Sequence, residues 1–557
     1  MLTFNISLLI IMKRFFNFIS IAAVAVAMVS CAGANQMKVV DNIKVDCTPE
    51  ILATLGETNI PADITVTYPK NYFSPKAILT VTPVLVYEGG EQEAAPFVYQ
   101  GEKVKDNYKV VSMDGGTVKE HTNFTYEKGM EVSHLELRGK VTYGAKVIDV
   151  PAIKVADGVN TTSRLAKKSG EYGFKADEYQ EIIHETAEGQ ILYDVNSAVV
   201  KKNQLRSESI AALQEALKEI SGNERYTVKG TKVIAYASPE GGQKLNSKLS
   251  DKRAGTAQDA WKKISKGTKN NSTVEIQSIG QDWEGFQEAV SKSNISDKDL
   301  ILRVLSMYSD PAVREQEIRN MSQVYTEINK KVFPDLRRAR FVTEADYKNF
   351  TDEELEELAQ KAIGTLDEEG LLRVATNSKS MDRKAALYKR AADVFGSDKG
   401  NFNLGVIALN NGKDAEAASY FAKVKKVDDD VLNAKGVCEL RKGNLDEAAK
   451  YFSKASSKEA KANLGTVKLL KGDYAGAVKD LAGTGSCNEA LGYILNGQND
   501  KAASAIDGEC PRCSYLKAIV AARKGDKNGV KNALSAASKN DEFKARAAKD
   551  IEFANFR

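Results

Sequence analysis

Apolar and polar residues alternate with a period of two over the first part of the chain that follows its leading apolar segment. The alternation is clearest in KAILTVTPVLVY at 76–87, EVSHLELRG at 131–139 and KVTYGAKVIDV at 140–150. A period of two places successive side chains on opposite faces of a strand. Glycine pairs at 89–90 and 115–116 supply turns between such strands. These short strands, with no helical pattern between them, predict an all-β sandwich domain over residues 31–155.

The middle of the chain mixes strand-like and helical spacing. Residues 156–185 show no sustained period and predict a linker. Candidate strands follow at 189–200, 231–238, 272–280 and 333–342, the first and last of which rest on a family resemblance. Between the first two, apolar residues recur at helical spacing, namely Ile210, Leu213, Leu217 and Ile220. This order predicts an α+β domain over 186–350 with a helical insertion at about 283–332, and then a helical connector over 351–380.

Residues 381–557 are alanine-rich, have helical spacing and carry an internal repeat. In each copy a small residue precedes a turn glycine by seven positions, and a small or branched residue follows that glycine by five. The copies are Gly405-Gly412-Ala417, Gly436-Gly443-Ala448, Gly465-Gly472-Ala477, Ala490-Gly497-Ala502 and Ala518-Gly525-Val530. The frame resembles the tetratricopeptide repeat, in which small residues let paired helices approach closely. The turn glycines lie 25–31 residues apart, less than the roughly 34 of that family. The resemblance implies an irregular α-helical solenoid.

The most informative stretch for binding chemistry is AYASPEGGQKLNSKLSDKRA at 235–254. It predicts the end of a strand, a tight Pro-Glu-Gly-Gly turn and a helix. Asn246, Ser250 and Arg253 share one face of that helix. A guanidinium and an amide beside a turn rich in backbone N–H groups favour a carboxylate ligand.

This stretch resembles the peptidoglycan-binding domain of OmpA-like proteins, whose consensus runs Gly-Tyr-Thr-Asp, a glycine turn, Asn, then Leu-Ser-x-x-Arg-Ala. The four strand-like segments of the middle domain occur in the order of that family. In the family, an aspartate and an arginine bind the amine and the carboxylate of diaminopimelate in the peptidoglycan stem.

The resemblance assigns roles to five residues of this chain. Arg253 takes the position of the arginine and Asn246 that of the helix asparagine, while Asn196 matches a first-strand asparagine. Ser238 replaces the aspartate, and loss of a charge-assisted hydrogen bond costs about 1.5–3 kcal/mol. Glu240, two residues later, is a candidate for the missing carboxylate. The alternative is that Arg253 only packs and pairs locally.

The N-terminus is typical of a secretory signal. Met12-Lys13-Arg14 precedes the apolar run FFNFISIAAVAVAMV. The sequence Met28-Val29-Ser30-Cys31 resembles the bacterial lipobox, which implies a lipoprotein signal peptide at 1–30 and lipidation of Cys31. Residues 32–37 lack the acidic run that marks surface-exported lipoproteins, so we expect an outer-membrane, periplasm-facing protein. The alternative is a plain signal peptide with an incidental cysteine.

Charge and cysteine content exclude several classes. The formal net charge of +4 on 557 residues is too balanced to favour nucleic acid. Cys510-Pro-Arg-Cys513 is a candidate disulfide or a redox pair. Because it lies between helical segments and not beside a βαβ pattern, we expect a structural bridge or two free thiols rather than catalysis. None of the three histidines lies near these cysteines in sequence, so no metal site is expected. The sequence also lacks a phosphate loop, a nucleophile elbow and a dinucleotide fingerprint, so we expect neither enzymatic activity nor a cofactor.

Two functions remain open from the sequence. One is a lipid-anchored link between the outer membrane and peptidoglycan, acting through Arg253, with an envelope protein bound to the repeats. The other is a scaffold or assembly factor of an envelope complex, without true peptidoglycan binding. The helical repeats themselves have the simpler alternative of a hairpin stack with no partner.

Overall fold

The computed structural model describes residues 35–268, 273–295 and 297–557. The chain divides into two compact units, one joining the residues up to Ala176 to Lys379–Arg557, the other being Asp177–Ser378. The predicted signal segment and lipidation site at Cys31 lie outside the described residues. None of the described helices is both long and apolar enough to cross a membrane.

The first unit begins with a β-rich region in which two sheets share one core. Its strands are β1 (Lys44–Thr48), β2 (Ile51–Ala53), β3 (Asn59–Tyr68), β4 (Ile78–Tyr87), β5 (Gly90–Glu93), β6 (Phe97–Gln100), β7 (Lys109–Val110), β8 (Gly116–Thr125), β9 (Ser133–Tyr143) and β10 (Lys146–Asn160). One sheet has the order β1-β3-β8; the other has the order β2-β10-β9-β4-β6-β7, with β5 beside β4. Inward residues of both sheets, such as Ile64 of β3 and Leu137 of β9, pack in one cluster. The predicted β-rich N-terminal region is therefore confirmed.

Strands extend into both ends of the predicted linker 156–185. β10 continues to Asn160, and Val159 packs in the sandwich core. The next strand of the chain begins at Ile182. The prediction was wrong at these ends because the alternation there is weak and the burial comes from distant partners. Between the strands, a short 3-10 helix at Thr162–Leu165 leads into an extended segment.

In its described residues, the second unit has a four-stranded sheet and nine α-helices. They are β11 (Ile182–Leu192), α1 (Glu208–Gly222), β12 (Tyr226–Ala237), α2 (Gln243–Ile264), β13 (Val274–Gln281), α3 (Trp283–Lys292), α4 (Lys298–Met307), α5 (Pro311–Asn320), α6 (Ser322–Lys331), α7 (Phe333–Leu336), β14 (Arg338–Lys348), α8 (Asp352–Lys361) and α9 (Glu368–Asn377). The strand order is β11-β14-β12-β13. Among the described strands of this sheet, β12 and β13 pair in parallel, and the other two pairs are antiparallel. Leu213 of α1 and Trp261 of α2 pack with Phe341 of the sheet in one core.

Two predicted strand boundaries in this unit were wrong. The first strand ends at Leu192, and Asn196 has a left-handed backbone with φ of 52°, so the residues after Leu192 do not continue the strand. The last strand begins at Arg338, because Phe333–Leu336 forms a helix with Pro334 in its first turn. The helical insertion at about 283–332 agrees with α3 to α6, which share a second core that includes Phe286 and Ile328.

The remainder of the first unit is helical, as predicted. Its helices are α10 (Met381–Phe395), α11 (Asp398–Asn410), α12 (Asp414–Lys423), α13 (Asp429–Lys442), α14 (Leu445–Lys454), α15 (Lys458–Lys471), α16 (Tyr474–Leu481), α17 (Cys487–Leu495), α18 (Asn499–Ala505), α19 (Pro511–Lys524), α20 (Lys527–Ala537) and α21 (Asp541–Lys549). The small residues of the repeat lie where paired helices touch. A Cβ atom at Gly405 would lie 2.4 Å from the Phe421 ring, and one at Gly436 would lie 2.5 Å from the Phe452 ring. These glycines let a ring of the second helix fill the contact.

A buried carboxylate ties the end of the helical region to the β-rich region. Glu552 accepts hydrogen bonds from Asn160 Nδ2 at 2.8 Å and from Thr162 Oγ1 at 2.9 Å. Arg523 of α19 pairs with the same carboxylate. On the other side, the Tyr474 hydroxyl accepts from the Gly56 N–H at 3.0 Å. The extended segment after Thr162 therefore starts from a fixed point beside the helices.

Candidate functional site

The turn between β12 and α2 follows the carboxyl end of β12, an inner strand of the sheet in the second unit. β12 ends at Ala237, and α2 begins at Gln243 after Gly241 and Gly242. An added Cβ atom at Gly241 would lie 3.2 Å from the Asn246 Oδ1 atom. Asn246, Ser250 and Arg253 are buried on one face of α2, as the helical spacing predicts.

Arg253 is buried, and its guanidinium binds main chain. Its side chain and backbone together are 1% exposed. Nε donates to Ser197 O at 2.9 Å, Nη1 donates to Tyr236 O at 2.8 Å, and Nη2 donates to Asp194 O at 3.2 Å. Among the described residues, none of its hydrogen bonds goes to a carboxylate. Burial lowers the pKa of the guanidinium to about 10, so it stays charged at neutral pH. The guanidinium therefore links the loop after β11 to the end of β12 through hydrogen bonds.

Ser238 and Glu240 form a hydrogen-bonded group with a second arginine, Arg337. Glu240 accepts a bidentate pair from Arg337, with both nitrogen–oxygen distances at 2.9 Å. The Ser238 hydroxyl donates to the Glu240 carboxylate at 2.9 Å. The carboxylate that the sequence offers to an ammonium ligand is therefore paired with Arg337.

The two predicted asparagines differ in position. Asn246 Nδ2 donates to Ser238 O at 3.0 Å and to Gly241 O at 2.6 Å, so it holds the turn. Asn196 is exposed in the loop after β11. The structure thus brings Ser238, Glu240 and Asn246 to one turn, with Arg253 buried on the same helix face as Asn246.

A second set of polar residues, which sequence reasoning did not select, lines the helical region. Asn403, Asn433, Asn463 and Asn488 lie on α11, α13, α15 and α17, the first helices of successive pairs. All four are at most 8% exposed. We call them the asparagine ladder, and we call residues 166–176 the clamped segment.

Three members of the ladder bind the main chain of the clamped segment with both ends of their amides. Asn488 accepts from the Lys167 N–H at 2.8 Å and donates to Lys167 O at 2.9 Å. Asn463 does the same for Glu171, at 2.7 and 2.8 Å. Asn403 does so for Lys175, at 2.8 and 3.1 Å. The contacts recur every four residues of the segment, which runs opposite to the order of the repeats.

The fourth asparagine, Asn433, reinforces the contact between Asn463 and Glu171. Asn433 Nδ2 donates to Glu171 O at 2.8 Å, and its Oδ1 accepts from Asn463 Nδ2 at 2.8 Å. An N–H and a C=O from one residue, met together by one primary amide, satisfy both buried main-chain groups. The asparagine ladder therefore binds the main chain of the clamped segment and not its side chains.

Arg441 and Val437 of α13 make further contacts with the clamped segment. Arg441 of α13 donates to Ser169 O at 2.9 Å and to the Tyr172 hydroxyl at 2.8 Å. Gly170 has φ of 72°, and a Cβ atom there would lie 2.7 Å from a methyl of Val437. Glycine is thus required for this close approach.

The sequence did contain a signal for the ladder. Asn403, Asn433 and Asn463 stand two or three positions before the small residues Gly405, Gly436 and Gly465 of the repeat frame. The frame located the helix contacts, whereas a polar residue repeating at a buried position is a separate signal for a groove.

The predicted cysteine pair lies at the start of α19. Cys510 and Cys513 are free thiols with their sulfur atoms 2.9 Å apart. A third thiol, Cys487 of α17, lies 2.9 Å from the Cys513 sulfur.

Comparisons with known proteins give little beyond this geometry. No protein-family model matches the chain, and no curated protein matches it. A tetratricopeptide repeat protein from Parabacteroides merdae ATCC 43184 is similar at 13% identity over 36% of this chain and 91% of that one, with a TM-score of 0.29. The APC/C hetero-tetramer Cut9-Hcn1 is similar at 13% identity over 57% of this chain and 76% of that one, with a TM-score of 0.32. The first belongs to the family that the repeat frame resembles, but these superpositions are too loose to carry an argument.

Proposed function

We propose that this protein is a non-enzymatic scaffold of a bacterial cell envelope whose helical repeats bind an extended polypeptide through its main chain. Lipidation at Cys31 would hold it on the periplasmic side of the outer membrane, and the middle unit would serve as an OmpA-like module. The asparagine ladder is the observation that carries the proposal.

The ladder fits polypeptide as a class of ligand. Its amides meet an N–H and a C=O of the same residue, which any extended segment other than proline offers. Side-chain identity enters at few places, such as the glycine that faces Val437. In this chain residues 166–176 fill the ladder, so we propose that an envelope protein binds by supplying a comparable segment in exchange.

The exchange is tested with a labelled synthetic peptide of residues 164–177 and the full-length protein. Replacing Lys167, Glu171 and Lys175 by proline removes the three N–H donors of the resident segment and leaves every asparagine in place. We expect this vacated variant to bind the peptide at least about tenfold more tightly than the wild type in fluorescence anisotropy, because the resident segment no longer competes.

Lys168→Pro is the matched control, since the Lys168 N–H makes no hydrogen bond among the described residues. It should bind the peptide as weakly as the wild type. Adding Asn403→Ala, Asn463→Ala and Asn488→Ala to the vacated variant should abolish binding. A folded vacated variant that does not bind the peptide would contradict the proposal.

A second candidate function is a link to peptidoglycan, favoured by a specific observation in the middle unit. Arg253 is a buried cation without a carboxylate hydrogen-bond partner among the described residues, and Arg337 nearby holds an internal carboxylate. A carboxylate of the peptidoglycan stem peptide would displace Glu240 from Arg337 and be attracted by the positive charges of both Arg337 and Arg253.

Sedimentation with purified cell wall tests this second candidate. The wild type should sediment with the wall, and Arg337→Gln should reduce the bound fraction severalfold. Arg253→Lys, which keeps the charge but loses the planar fork, should reduce it too. Each variant is first checked for an unchanged unfolding transition. Equal sedimentation of the wild type and both folded variants would exclude the link.

A further inference from the structure

Three thiols of the helical region meet at one point. The sulfur atoms of Cys487, Cys510 and Cys513 all lie within 4.8 Å of one another. Cys513 is in the centre, because its sulfur lies 2.9 Å from each of the other two. A disulfide joins only two sulfurs, so Cys513 has two alternative partners.

The thiols lie at the N-termini of two helices. Cys487 is the first residue of α17, and Cys510 caps α19, where its sulfur accepts the Cys513 N–H at 3.2 Å. Pro511 occupies the first turn of α19 and fixes the loop that presents Cys510. The partial positive charge of a helix N-terminus favours a thiolate.

The three thiols differ in exposure and acidity. Cys510 is exposed, Cys487 is half-buried and Cys513 is buried. Burial raises the pKa of the Cys510 thiol, but hydrogen bonds from the Cys513 thiol and amide outweigh it and leave that pKa below its ordinary value. Burial, followed by the neighbouring thiols, raises the pKa of Cys513 to about 12. Cys510 is therefore the thiol that an external reagent reaches first.

We propose that Cys487, Cys510 and Cys513 form a thiol–disulfide exchange site, in which Cys510 reacts with external disulfides and Cys513 is shared between two alternative internal disulfides. The external reactant is a low-molecular-weight disulfide or an exposed disulfide of another protein.

Oxidation of the site proceeds in two displacements. The Cys510 thiolate attacks one sulfur of the external disulfide, forms a mixed disulfide and releases one thiolate. Cys513 loses its proton to solvent and attacks the Cys510 sulfur, which forms the Cys510–Cys513 bond and releases the second external thiolate. Two protein thiols have then lost two electrons, and the external disulfide has become two thiols.

Internal exchange needs no further oxidant. Cys487, after losing its proton, attacks the Cys513 sulfur, so that the Cys487–Cys513 bond forms and the Cys510–Cys513 bond breaks. Cys510 leaves as a thiolate and is again available at the surface. The electron count of the site is unchanged by this step.

The exchange changes which elements are joined. The Cys510–Cys513 bond lies within one turn at the start of α19, whereas the Cys487–Cys513 bond joins α17 to α19. These helices hold the beginning of the clamped segment, because Asn488 binds Lys167 and Arg512 donates to Leu165 O. The second disulfide therefore fixes the end of the groove where the segment enters.

The test treats the full-length protein with glutathione disulfide, quenches it with acid and maps its disulfides without reduction. We expect both the Cys510–Cys513 and the Cys487–Cys513 bridges, and neither in Cys513→Ser. Cys487→Ser should retain only the first bridge. Cys510→Ser should retain only the second and form it about tenfold more slowly, because the exposed thiol is lost.

Cys438→Ser is the matched control, since Cys438 is buried in the same helical region and burial raises its pKa to about 11. It should leave both bridges and their rates unchanged. Three free thiols after treatment, a Cys510–Cys513 bridge alone, or a Cys487–Cys510 bridge as the main product would each overturn the proposal. Zinc that co-purifies with the wild type and is lost in Cys513→Ser, without any disulfide, would overturn it as well.

Discussion

The turn at 238–242 and the asparagine ladder both use buried polar side chains to bind main chain, but over very different distances along the sequence. Arg253 and Asn246 bind carbonyls of the same domain, within 59 residues of themselves. Asn403 and Asn488 bind residues 228 and 321 positions away. The first set lies in a stretch whose sequence resembles a family consensus, whereas the asparagines of the ladder stand outside the repeat frame. The stretch that resembles a family consensus therefore forms contacts within one domain. The contacts that join the most distant parts of this chain, those of the asparagine ladder, lie outside that stretch.

The largest expected effect is that of Arg253→Ala. It removes three hydrogen bonds from a buried guanidinium to main-chain carbonyls and opens a cavity, so we expect the middle unit to lose about 3–5 kcal/mol of unfolding free energy. Both tryptophans of the chain, Trp261 and Trp283, lie in that unit, so tryptophan fluorescence in a urea titration reports on it alone. The exposed Lys248 of α2 provides the control Lys248→Ala. A loss below about 1 kcal/mol would show that Arg253 is not structural.

The next largest effect is expected from removing together the three asparagines that each donate to and accept from the clamped segment. In Asn403→Ala/Asn463→Ala/Asn488→Ala, six hydrogen bonds to the clamped segment are lost. Trypsin sites at Lys167, Lys168 and Lys175 should then be cut more than about tenfold faster, because cleavage follows the open population. The exposed Asn532 of α20 provides the control Asn532→Ala. Unchanged cleavage would mean that the ladder does not hold the segment.

Replacing a single asparagine of the ladder should have a smaller and local effect. Asn488→Ala removes the two bonds to Lys167, each worth about 0.5–1.5 kcal/mol. Cleavage after Lys167 and Lys168 should rise severalfold, while cleavage after Lys175 stays at the wild-type rate. Equal increases in the cleavage rate at both ends of the clamped segment would show that the segment detaches from the ladder as one cooperative unit.

The smallest effect is expected at Ser238. Ser238→Ala removes the hydroxyl that donates to Glu240, at a cost of about 1 kcal/mol in the tryptophan-monitored unfolding of the middle unit. Cleavage of the clamped segment serves as the internal control and should not change. A loss above about 3 kcal/mol would assign Ser238 a larger structural role than its one hydrogen bond explains.

The sequence predicted those features that depend on nearby residues. Alternation located the β-rich region, and the repeat frame located the contacts of Gly405 with Phe421 and of Gly436 with Phe452. The loop after Leu192 was missed because a resemblance extended the strand across it. The ladder was missed because its asparagines lie outside the repeat frame and bind a segment 228–321 positions away in the sequence. The third thiol of the exchange site, Cys487, was missed because it lies 26 residues from Cys513 in the sequence.

Hydrogen exchange of the main-chain amides tests the central claim most directly. If the ladder holds the segment by its backbone, the amides of Lys167, Glu171 and Lys175 exchange at least about a hundredfold more slowly than that of Lys168. Asn488→Ala would then release the Lys167 amide and leave Lys175 protected. Exchange of Lys167, Glu171 and Lys175 at the rate of Lys168 in the wild type would contradict the account.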